Sequence, residues 1–139
     1  MTKFVRRTPL LGVCLGMQLL GRRSEEGASD GLGWIRANTV RMRPDSALKL
    51  RVPFMGWAEI ETVQGANLFA DNSPFRFYFT HSYRMQCDDA EDVAATYQFD
   101  QPVVCSVQHD NIYGVQFHPE KSHRFGMKLL SNFIERTTG

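Results

Sequence analysis

The apolar stretch from Pro9 to Gly21 constrains the fold of this chain more than any other segment. Its first half is a short apolar run, which suits a β-strand buried on both faces. Its second half carries Leu15, Leu19 and Leu20 at helical spacing, and Gly21 is a typical helix stop. The sequence therefore predicts a buried strand that passes directly into a short amphipathic helix.

Cys14 lies at the junction of this strand and helix, between Gly12 and Gly16. Small residues two positions before and after a nucleophile permit the sharp strand-to-helix turn that exposes its side chain, a geometry called the nucleophile elbow. A Cys at the start of a helix also feels the positive end of the helix dipole, which lowers the thiol pKa and favours the thiolate. The alternative is a buried structural Cys in a tight turn, because free Cys is among the most buried residue types. This segment alone leaves both interpretations open.

The composition is that of an ordinary soluble globular protein, with 42% hydrophobic and 22% charged residues. The length of 139 residues predicts one domain, residues 1–139, with a sizeable core. A formal net charge of +1 gives no electrostatic reason to expect nucleic acid or an anionic membrane as a partner. Cys14, Cys87 and Cys105 form neither a disulfide framework nor a metal-binding pair, which favours a reducing compartment. We therefore expect a cytoplasmic protein.

The rest of the chain mixes β-prone segments with helical ones, which predicts an α/β domain. We expect strands over 34–43, 52–61, 75–83, 93–99, 103–108 and 111–117, and a short helix or turn at 67–69. The segment 124–136 predicts an amphipathic C-terminal helix. Its expected apolar face consists of Phe125, Leu129, Leu130, Phe133 and Ile134.

His118 is the histidine that best suits a catalytic partner for Cys14, because it ends an apolar strand, where α/β sheets place their functional groups. Pro119 follows it, and the spacing allows the carboxylate of Glu120 to hold the imidazole. A surface turn without a catalytic role is the alternative. A metal site formed by His118, Glu120 and His123 matches no common zinc spacing. His81 follows an aromatic strand and is expected near the site.

Five segments carry a resemblance that covers nearly the whole chain. They are Gly-Val-Cys-Leu-Gly-Met-Gln (12–18), Gly-Leu-Gly-Trp-Ile (31–35), Met-Gly-Trp (55–57), Phe-Tyr-Phe-Thr-His-Ser-Tyr (77–83) and Asn-Ile-Tyr-Gly-Val-Gln-Phe-His-Pro-Glu-Lys-Ser-His (111–123). In this order they resemble the class I glutamine amidotransferases. The central motifs are most similar to those of the glutaminase subunit of imidazole glycerol phosphate synthase. The resemblance implies the flavodoxin-like α/β sandwich of that family, with three layers.

The resemblance also implies the catalytic roles. Cys14 would be the nucleophile, His118 the general base and acid, and Glu120 the residue that orients His118. The main-chain amide of Leu15, which directly follows the nucleophile, is placed to donate to the oxyanion. The expected reaction is hydrolysis of glutamine to glutamate and ammonia through a glutamyl thioester.

The remaining expectations concern substrate and partner. Gln18, Ser82 and Tyr83 would hold glutamine. The resemblance implies no cofactor and no metal. It implies a heterodimer with a cyclase or synthase subunit, which receives the ammonia and makes imidazole glycerol phosphate in histidine biosynthesis.

One departure from the family lies before the elbow. Class I glutaminases have several strands there, with a Pro-Gly-x-Gly loop that supplies a second oxyanion donor, whereas this chain has Met1 to Thr8. We therefore expect a sheet that lacks its N-terminal strands, an exposed edge and weak or no glutaminase activity of the chain by itself. A catalytically silent fragment is the corresponding alternative.

A second departure lies in the segment 53–58, which resembles the family's contact surface with the synthase. Family members of the histidine pathway read Pro-His-Met-Gly-Trp-Asn, and this chain has Phe54 and Ala58 in place of His and Asn. The exchange suggests an altered partner. An amidotransferase for sugar amination in surface-polysaccharide synthesis is therefore an alternative function.

Overall fold

A computed structural model describes residues 8–27, 30–70 and 74–137. Within these ranges the chain forms ten strands and two α-helices. The strands are β1 (Leu10–Val13), β2 (Arg23–Ser24), β3 (Ala37–Arg41), β4 (Phe54–Glu59), β5 (Glu61–Thr62), β6 (Arg76–His81), β7 (Tyr83–Cys87), β8 (Val93–Gln98), β9 (Pro102–His109) and β10 (Ile112–Val115). The helices are α1 (Leu15–Leu19) and α2 (His123–Thr137). The segment Asn67–Phe69 is a single 3₁₀ turn, as predicted.

The main sheet has eight strands and mixed pairing. Its order is β1-β10-β9-β7-β3-β2, and β8 pairs with both β9 and β5. β1 pairs with β10 in parallel, and β2 pairs with β3 in parallel, while the other pairs are antiparallel. The predicted hairpin is confirmed as β8 and β9. Within the described ranges β1 pairs only with β10, so the elbow strand lies at an edge of this sheet.

The aromatic segment 75–83, predicted as one strand, is two strands in two different sheets. His81, at the end of β6, pairs with Phe54 in a separate sheet formed by β4 and β6. Tyr83, at the start of β7, pairs with Arg41 in the main sheet. The chain changes sheets at Ser82, whose carbonyl accepts a hydrogen bond from the amide of Met42. The single-strand prediction was wrong because apolar character does not reveal which sheet a segment joins.

The core consists of two apolar clusters on opposite faces of the main sheet. Successive residues of a strand point to opposite faces. In β10, Tyr113 and Val115 accordingly belong to the larger cluster, which includes Leu129 of α2. Ile112 belongs to the smaller one, with Met17 of α1. The sheet is therefore covered on both faces, which agrees with the predicted sandwich.

The apolar face predicted for α1 is confirmed at Leu20, which is 2% exposed, but was wrong for the other two leucines. Leu15 and Leu19 are 57% and 51% exposed, whereas Met17 is fully buried. The helix has only five residues, so its orientation is set by the turn before it. Gly114 of β10 makes room for the helix, because a Cβ there would lie 2.8 Å from the Cγ of Met17.

The C-terminal helix α2 is confirmed, but its buried face is narrower than predicted. Leu129 is fully buried, whereas Leu130 and Ile134 are 37% and 62% exposed. The buried side chain of Asn132 donates to the carbonyl of Leu68 at 2.9 Å, which ties the helix to the 3₁₀ turn. In the part of the chain that the structure describes, no helix has the length and apolar character needed to cross a membrane.

The strand β4 presents alternate residues to the core and to solvent. Phe54 and Ala58 pack against the larger cluster. Met55 and Trp57 are 63% and 39% exposed. The two residues that depart from the family motif are therefore partly buried on the inner side of β4, and the altered partner expected from them stays a prediction.

Candidate functional site

Cys14 occupies a strained turn between β1 and α1. Its backbone angles are φ 56° and ψ −110°, a conformation that costs a non-glycine residue about 1–3 kcal/mol. Its amide donates to the carbonyl of Val115 at 2.7 Å, which fixes the turn against the end of β10. The predicted sharp strand-to-helix turn is thus confirmed. Such strain is found where a structure holds a reactive group in place.

His118 lies three residues beyond the end of β10. Its amide donates to the carbonyl of Tyr78 at 2.9 Å. Its ring Nδ1 lies 2.9 Å from Oε2 of Glu120. Because a carboxylate only accepts, Nδ1 carries the proton in the neutral ring and Nε2 keeps its lone pair. Nε2 is buried and has no hydrogen-bond partner among the described residues.

Glu120 suits the task of holding a positive imidazolium. Burial raises the pKa of its carboxyl, but the opposing hydrogen bonds from its own amide and from His118 leave that pKa lowered on balance. The group is therefore a carboxylate at neutral pH. Glu120 is 59% exposed at its side chain, whereas that of His118 is 16% exposed.

Ser122 fixes the turn that carries His118, and the sequence interpretation missed it. Its hydroxyl donates to the carbonyl of His118 at 2.6 Å and accepts from the amide of Tyr78 at 3.0 Å. Ser122 is fully buried. A small hydroxyl residue directly after a Pro-containing turn was the available signal, because such side chains commonly bond to nearby backbone groups.

The parallel pairing of β1 with β10 brings the two halves of the site to one edge of the sheet. Val13 is level with Val115, and the chain leaves both strands in the same direction. Cys14 and His118 therefore both follow the carboxyl ends of neighbouring parallel strands, where α/β sheets place ligands. The negative charge of Glu120 acts on Cys14 across this edge and raises its thiol pKa slightly.

The expectation that the helix dipole lowers the thiol pKa of Cys14 was wrong. Burial raises the pKa of the thiol above its ordinary value. The amide of Leu15 and the side chain of Gln116 each form a hydrogen bond that lowers this pKa, but their combined effect is smaller. A five-residue helix and a partly buried sulfur explain the difference.

A cavity of about 340 Å³ opens beside Cys14, and its size suits a small molecule. It is lined by Cys14, Leu15, Gln18, Glu26, Pro53, Thr80, His81, Ser82 and Tyr83. Six residues predicted in or near the site thus share one cavity, and His118 and Glu120 are not part of its lining. Glu26 also lines this cavity, and the sequence analysis did not identify it as a site residue.

A larger cavity of about 520 Å³ lies next to residues 62–70 and Arg136. Among the residues that the structure describes, its lining contains neither a cysteine nor a histidine nor a carboxylate. The smaller cavity is therefore the better candidate, because it contains a nucleophile and polar groups at the sheet edge.

Gln116 is a second residue that the sequence interpretation missed. Its Nε2 donates to Sγ of Cys14 at 3.7 Å, and its Oε1 accepts from Nε2 of Gln18 at 3.1 Å. Gln116 is fully buried, and Gln18 is 7% exposed. A glutamine among the apolar residues at the end of β10 was the available signal, because buried polar side chains need partners.

His81 supports the cavity wall rather than acting as a base. Its Nδ1 donates to the carbonyl of Tyr83 at 2.8 Å, and its Nε2 accepts from the hydroxyl of Tyr97 at 2.7 Å. Burial is the main cause that lowers the pKa of His81 to about 4, with a smaller contribution from nearby His118. The ring is therefore neutral near pH 7, with both nitrogens engaged.

The described residues contain no group of three or more His, Cys, Asp or Glu side chains arranged to hold a metal ion. His123, the third member of the metal site weighed above, stacks on Trp57 with ring centroids 5.8 Å apart. The geometry thus gives no support to a metal site at the His-Pro-Glu turn.

Comparison with known sequences gives one consistent result. A family model described as glutamine amidotransferase class-I matches residues 1–137. The imidazole glycerol phosphate synthase subunit HisH 2 of Methanococcus maripaludis is 48% identical over 132 residues. The protein of the same name from Pseudomonas aeruginosa is 46% identical over 132 residues. Each alignment covers 94% of this chain and 64% of the relative, so the chain spans less than two thirds of these relatives.

Comparison with solved structures bears on the fold. A Thermoplasma acidophilum protein named as part of a GMP synthase superposes with a TM-score of 0.66 and 22% identity, covering 92% of this chain and 56% of that protein. A glutamine amidotransferase from Thermotoga maritima superposes with a TM-score of 0.59 and 17% identity, covering 97% of this chain and 50% of that protein. At these identities the similarity shows a shared fold and no more.

Proposed function

Because the chain belongs to the class-I glutamine amidotransferase family, we propose that it provides the glutaminase activity of an imidazole glycerol phosphate synthase. Its fold is the α/β sandwich of that family, as predicted. The proposed reaction converts glutamine and water to glutamate and ammonia. The residues proposed to carry it out lie in the predicted domain 1–139.

One observation carries the proposal. A strained Cys14 and a His118 held by Glu120 follow the carboxyl ends of two adjacent parallel strands. A nucleophile, a base and a group that orients the base are the three parts of a hydrolytic triad, recognised by geometry rather than by order in the chain. The triad assignment stays a proposal, and the geometry supports it.

The proposed chemistry begins with the thiol of Cys14, whose proton passes to Nε2 of His118. The thiolate attacks the side-chain amide carbon of glutamine, and the amide of Leu15 donates to the oxyanion that forms. His118 then returns the proton to the departing ammonia. Glu120 stabilises the imidazolium in between.

The second half of the reaction regenerates the thiol. Water attacks the glutamyl thioester, with His118 accepting its proton and then passing that proton to the departing sulfur of Cys14. Glutamate leaves, so one water is consumed for each ammonia released. This sequence requires neither a metal nor a cofactor.

The cavity supplies groups for glutamine. We assign substrate contacts to Gln18, Ser82 and Tyr83, which line it. Glu26 lines it too, and a carboxylate there suits the α-ammonium group of an amino acid. The hydroxyl groups of Ser82 and Tyr83 suit the α-carboxylate of glutamine.

We propose that the ammonia passes to a cyclase or synthase subunit in a cytoplasmic heterodimer of histidine biosynthesis. The support is the name of the relatives, which are subunits of imidazole glycerol phosphate synthase. The sugar-amination alternative rested on Phe54 and Ala58, and both pack inward. No other observation favours it.

The decisive experiment measures glutamate release by the purified chain, alone and with a cyclase subunit from a relative. Cys14→Ser should abolish release, with a loss of about 10⁴-fold or more. Cys87→Ser is the matched control, because Cys87 lies on β7 outside the cavity lining, and it should retain the wild-type rate. Equal rates for wild type and Cys14→Ser would contradict the proposed nucleophile. A wild-type chain inactive under both conditions would favour the silent alternative.

A further inference from the structure

Gln116 occupies a position where an apolar side chain would be the ordinary choice. It is fully buried, between Val115 and Phe117, which are buried as well. Burying an amide is unfavourable unless its polar atoms are hydrogen-bonded. Both atoms of this amide do have partners, and one partner is the sulfur of Cys14. The pairing calls for an explanation beyond packing.

The amide of Gln116 lies between two polar partners. Nε2 of Gln18 donates to Oε1 of Gln116 at 3.1 Å. Nε2 of Gln116 is then the atom that faces Sγ of Cys14, at 3.7 Å. The backbone is held too, because the amide of Gln116 donates to the carbonyl of Cys105 at 2.8 Å.

A donor aimed at sulfur favours one protonation state. An N–H group stabilises a thiolate more than a thiol, because hydrogen bonds to charged acceptors are the stronger ones. Cys14 needs such a donor, because burial raises the pKa of its thiol. The amide of Leu15 and the side chain of Gln116 are the two hydrogen-bond donors that lower it. When the amide of Leu15 turns to the oxyanion during the reaction, Gln116 remains as a donor to the sulfur.

From this geometry we infer that Gln116 is a further catalytic residue, which donates to the sulfur of Cys14 and stabilises its thiolate. Gln18 is the positioning residue that keeps the Gln116 amide turned toward the sulfur. The inference rests on the proposed function for the reaction that it serves. The contact with the sulfur, however, is testable without glutamine.

The test measures the rate at which iodoacetamide alkylates Cys14 between pH 6 and pH 10, resolved by mass spectrometry of the peptide. Gln116→Leu removes the donor at similar side-chain volume. It should lower the alkylation rate near pH 8 about five- to tenfold and move the midpoint of the rate–pH profile to higher pH. Gln116→Glu keeps an acceptor for Gln18 but loses the donor. It should slow the reaction at least as much, because it adds a negative charge beside the thiolate.

Matched controls separate this effect from packing. Gln108→Leu makes the same exchange on β9, where the side chain accepts from the amide of Asn67, away from Cys14. It should leave the Cys14 profile unchanged. Gln18→Leu frees the Gln116 amide to rotate, so it should shift the midpoint in the same direction as Gln116→Leu but by less.

An unchanged midpoint in both Gln116→Leu and Gln116→Glu would overturn the inference. If Gln116→Leu unfolds, as judged by circular dichroism, Gln116→Met replaces it, since that side chain is flexible and also lacks an N–H group. Because no step uses glutamine, a shifted midpoint in a chain without glutaminase activity would sustain this inference and contradict only the proposed function.

Discussion

Gly12 and Gly16 touch backbone to backbone across the turn that carries Cys14. A Cβ atom on Gly12 would lie 2.6 Å from the carbonyl oxygen of Gly16, closer than any Cβ normally approaches an oxygen. A Cβ atom on Gly16 would meet nothing within 4 Å. The two glycines look equivalent in the sequence, but only the first is required by the close approach of strand and helix.

Gly12→Ala should therefore destabilise the protein by about 2–3 kcal/mol, because the backbone must shift to relieve the contact. Gly16→Ala is the matched control and should be neutral or stabilise the chain by up to about 1 kcal/mol, since alanine is the better helix former. Urea unfolding of both variants measures the difference. Equal stabilities would mean that the strand and helix separate without cost.

Ser122→Ala should destabilise the protein by about 1–3 kcal/mol. The substitution leaves the amide of Tyr78 and the carbonyl of His118 without the hydroxyl that joins them. Ser131→Ala is the control, because its hydroxyl lies on the exposed side of α2, where it donates to Glu135 at 3.4 Å, and its effect should stay within about 0.5 kcal/mol. Thermal unfolding of the two variants checks the prediction, and a Ser122→Ala protein as stable as the control would contradict it.

His81 should make the protein less stable as the pH falls. Burial lowers its pKa to about 4, whereas the unfolded chain binds a proton near pH 6.5. The unfolded state therefore holds more protons between these values, and stability decreases from about pH 6.5 toward pH 4, by about 3 kcal/mol in full.

Urea unfolding at pH 7.0, 6.0 and 5.0 measures the slope of the free energy of unfolding against pH. Carboxylates remain mostly ionised in this range. His81→Gln should flatten the slope, while His123→Gln, an exposed position on α2, should retain that of the wild type. A His81→Gln protein with an unchanged slope would show that the proton is taken up elsewhere.

Glu120→Gln should reduce glutamine hydrolysis by about 10²-fold or more and leave the fold intact. The amide retains an acceptor for Nδ1 of His118 but loses the charge that stabilises an imidazolium. The side chain is 59% exposed, so little packing changes. Glu61→Gln, on the exposed strand β5, is the control. The measurement compares kcat and unfolding midpoints, and a wild-type kcat would remove Glu120 from the mechanism.

The parts of the site that the sequence predicted are those set by neighbouring residues in the chain. The turn at Cys14 and the end of β10 before His118 are examples, because glycine and proline act on the backbone within a few positions. The pairing of Cys14 with Gln116 was beyond such reasoning, since it depends on the parallel register of β1 and β10.

The sequence predicted most elements of the fold but not how they pack against one another. Strand segments and the C-terminal helix follow from apolar spacing. They were confirmed, except that 52–61 and 75–83, each predicted as one strand, each form two strands in different sheets. The exposure of Leu15 and Leu19 was not predictable, because the packing partner of such a short helix decides which of its sides is buried. The change of sheet at Ser82 depends on competition between two partner strands, which the local sequence does not encode.

Because the chain changes sheets at Ser82, the cavity lies where the small sheet meets the main sheet. One wall ends the small sheet at His81, and the next residues of that wall begin the main sheet at Tyr83. The packing of Phe79 against Phe117, with centroids 5.6 Å apart, joins the small sheet to the chain leaving β10. Both rings lie outside the lining of the cavity, so they act on its width only through the strands that they join. Changes in this aromatic packing should alter the affinity for substrate while leaving the reactivity of the thiol as it is.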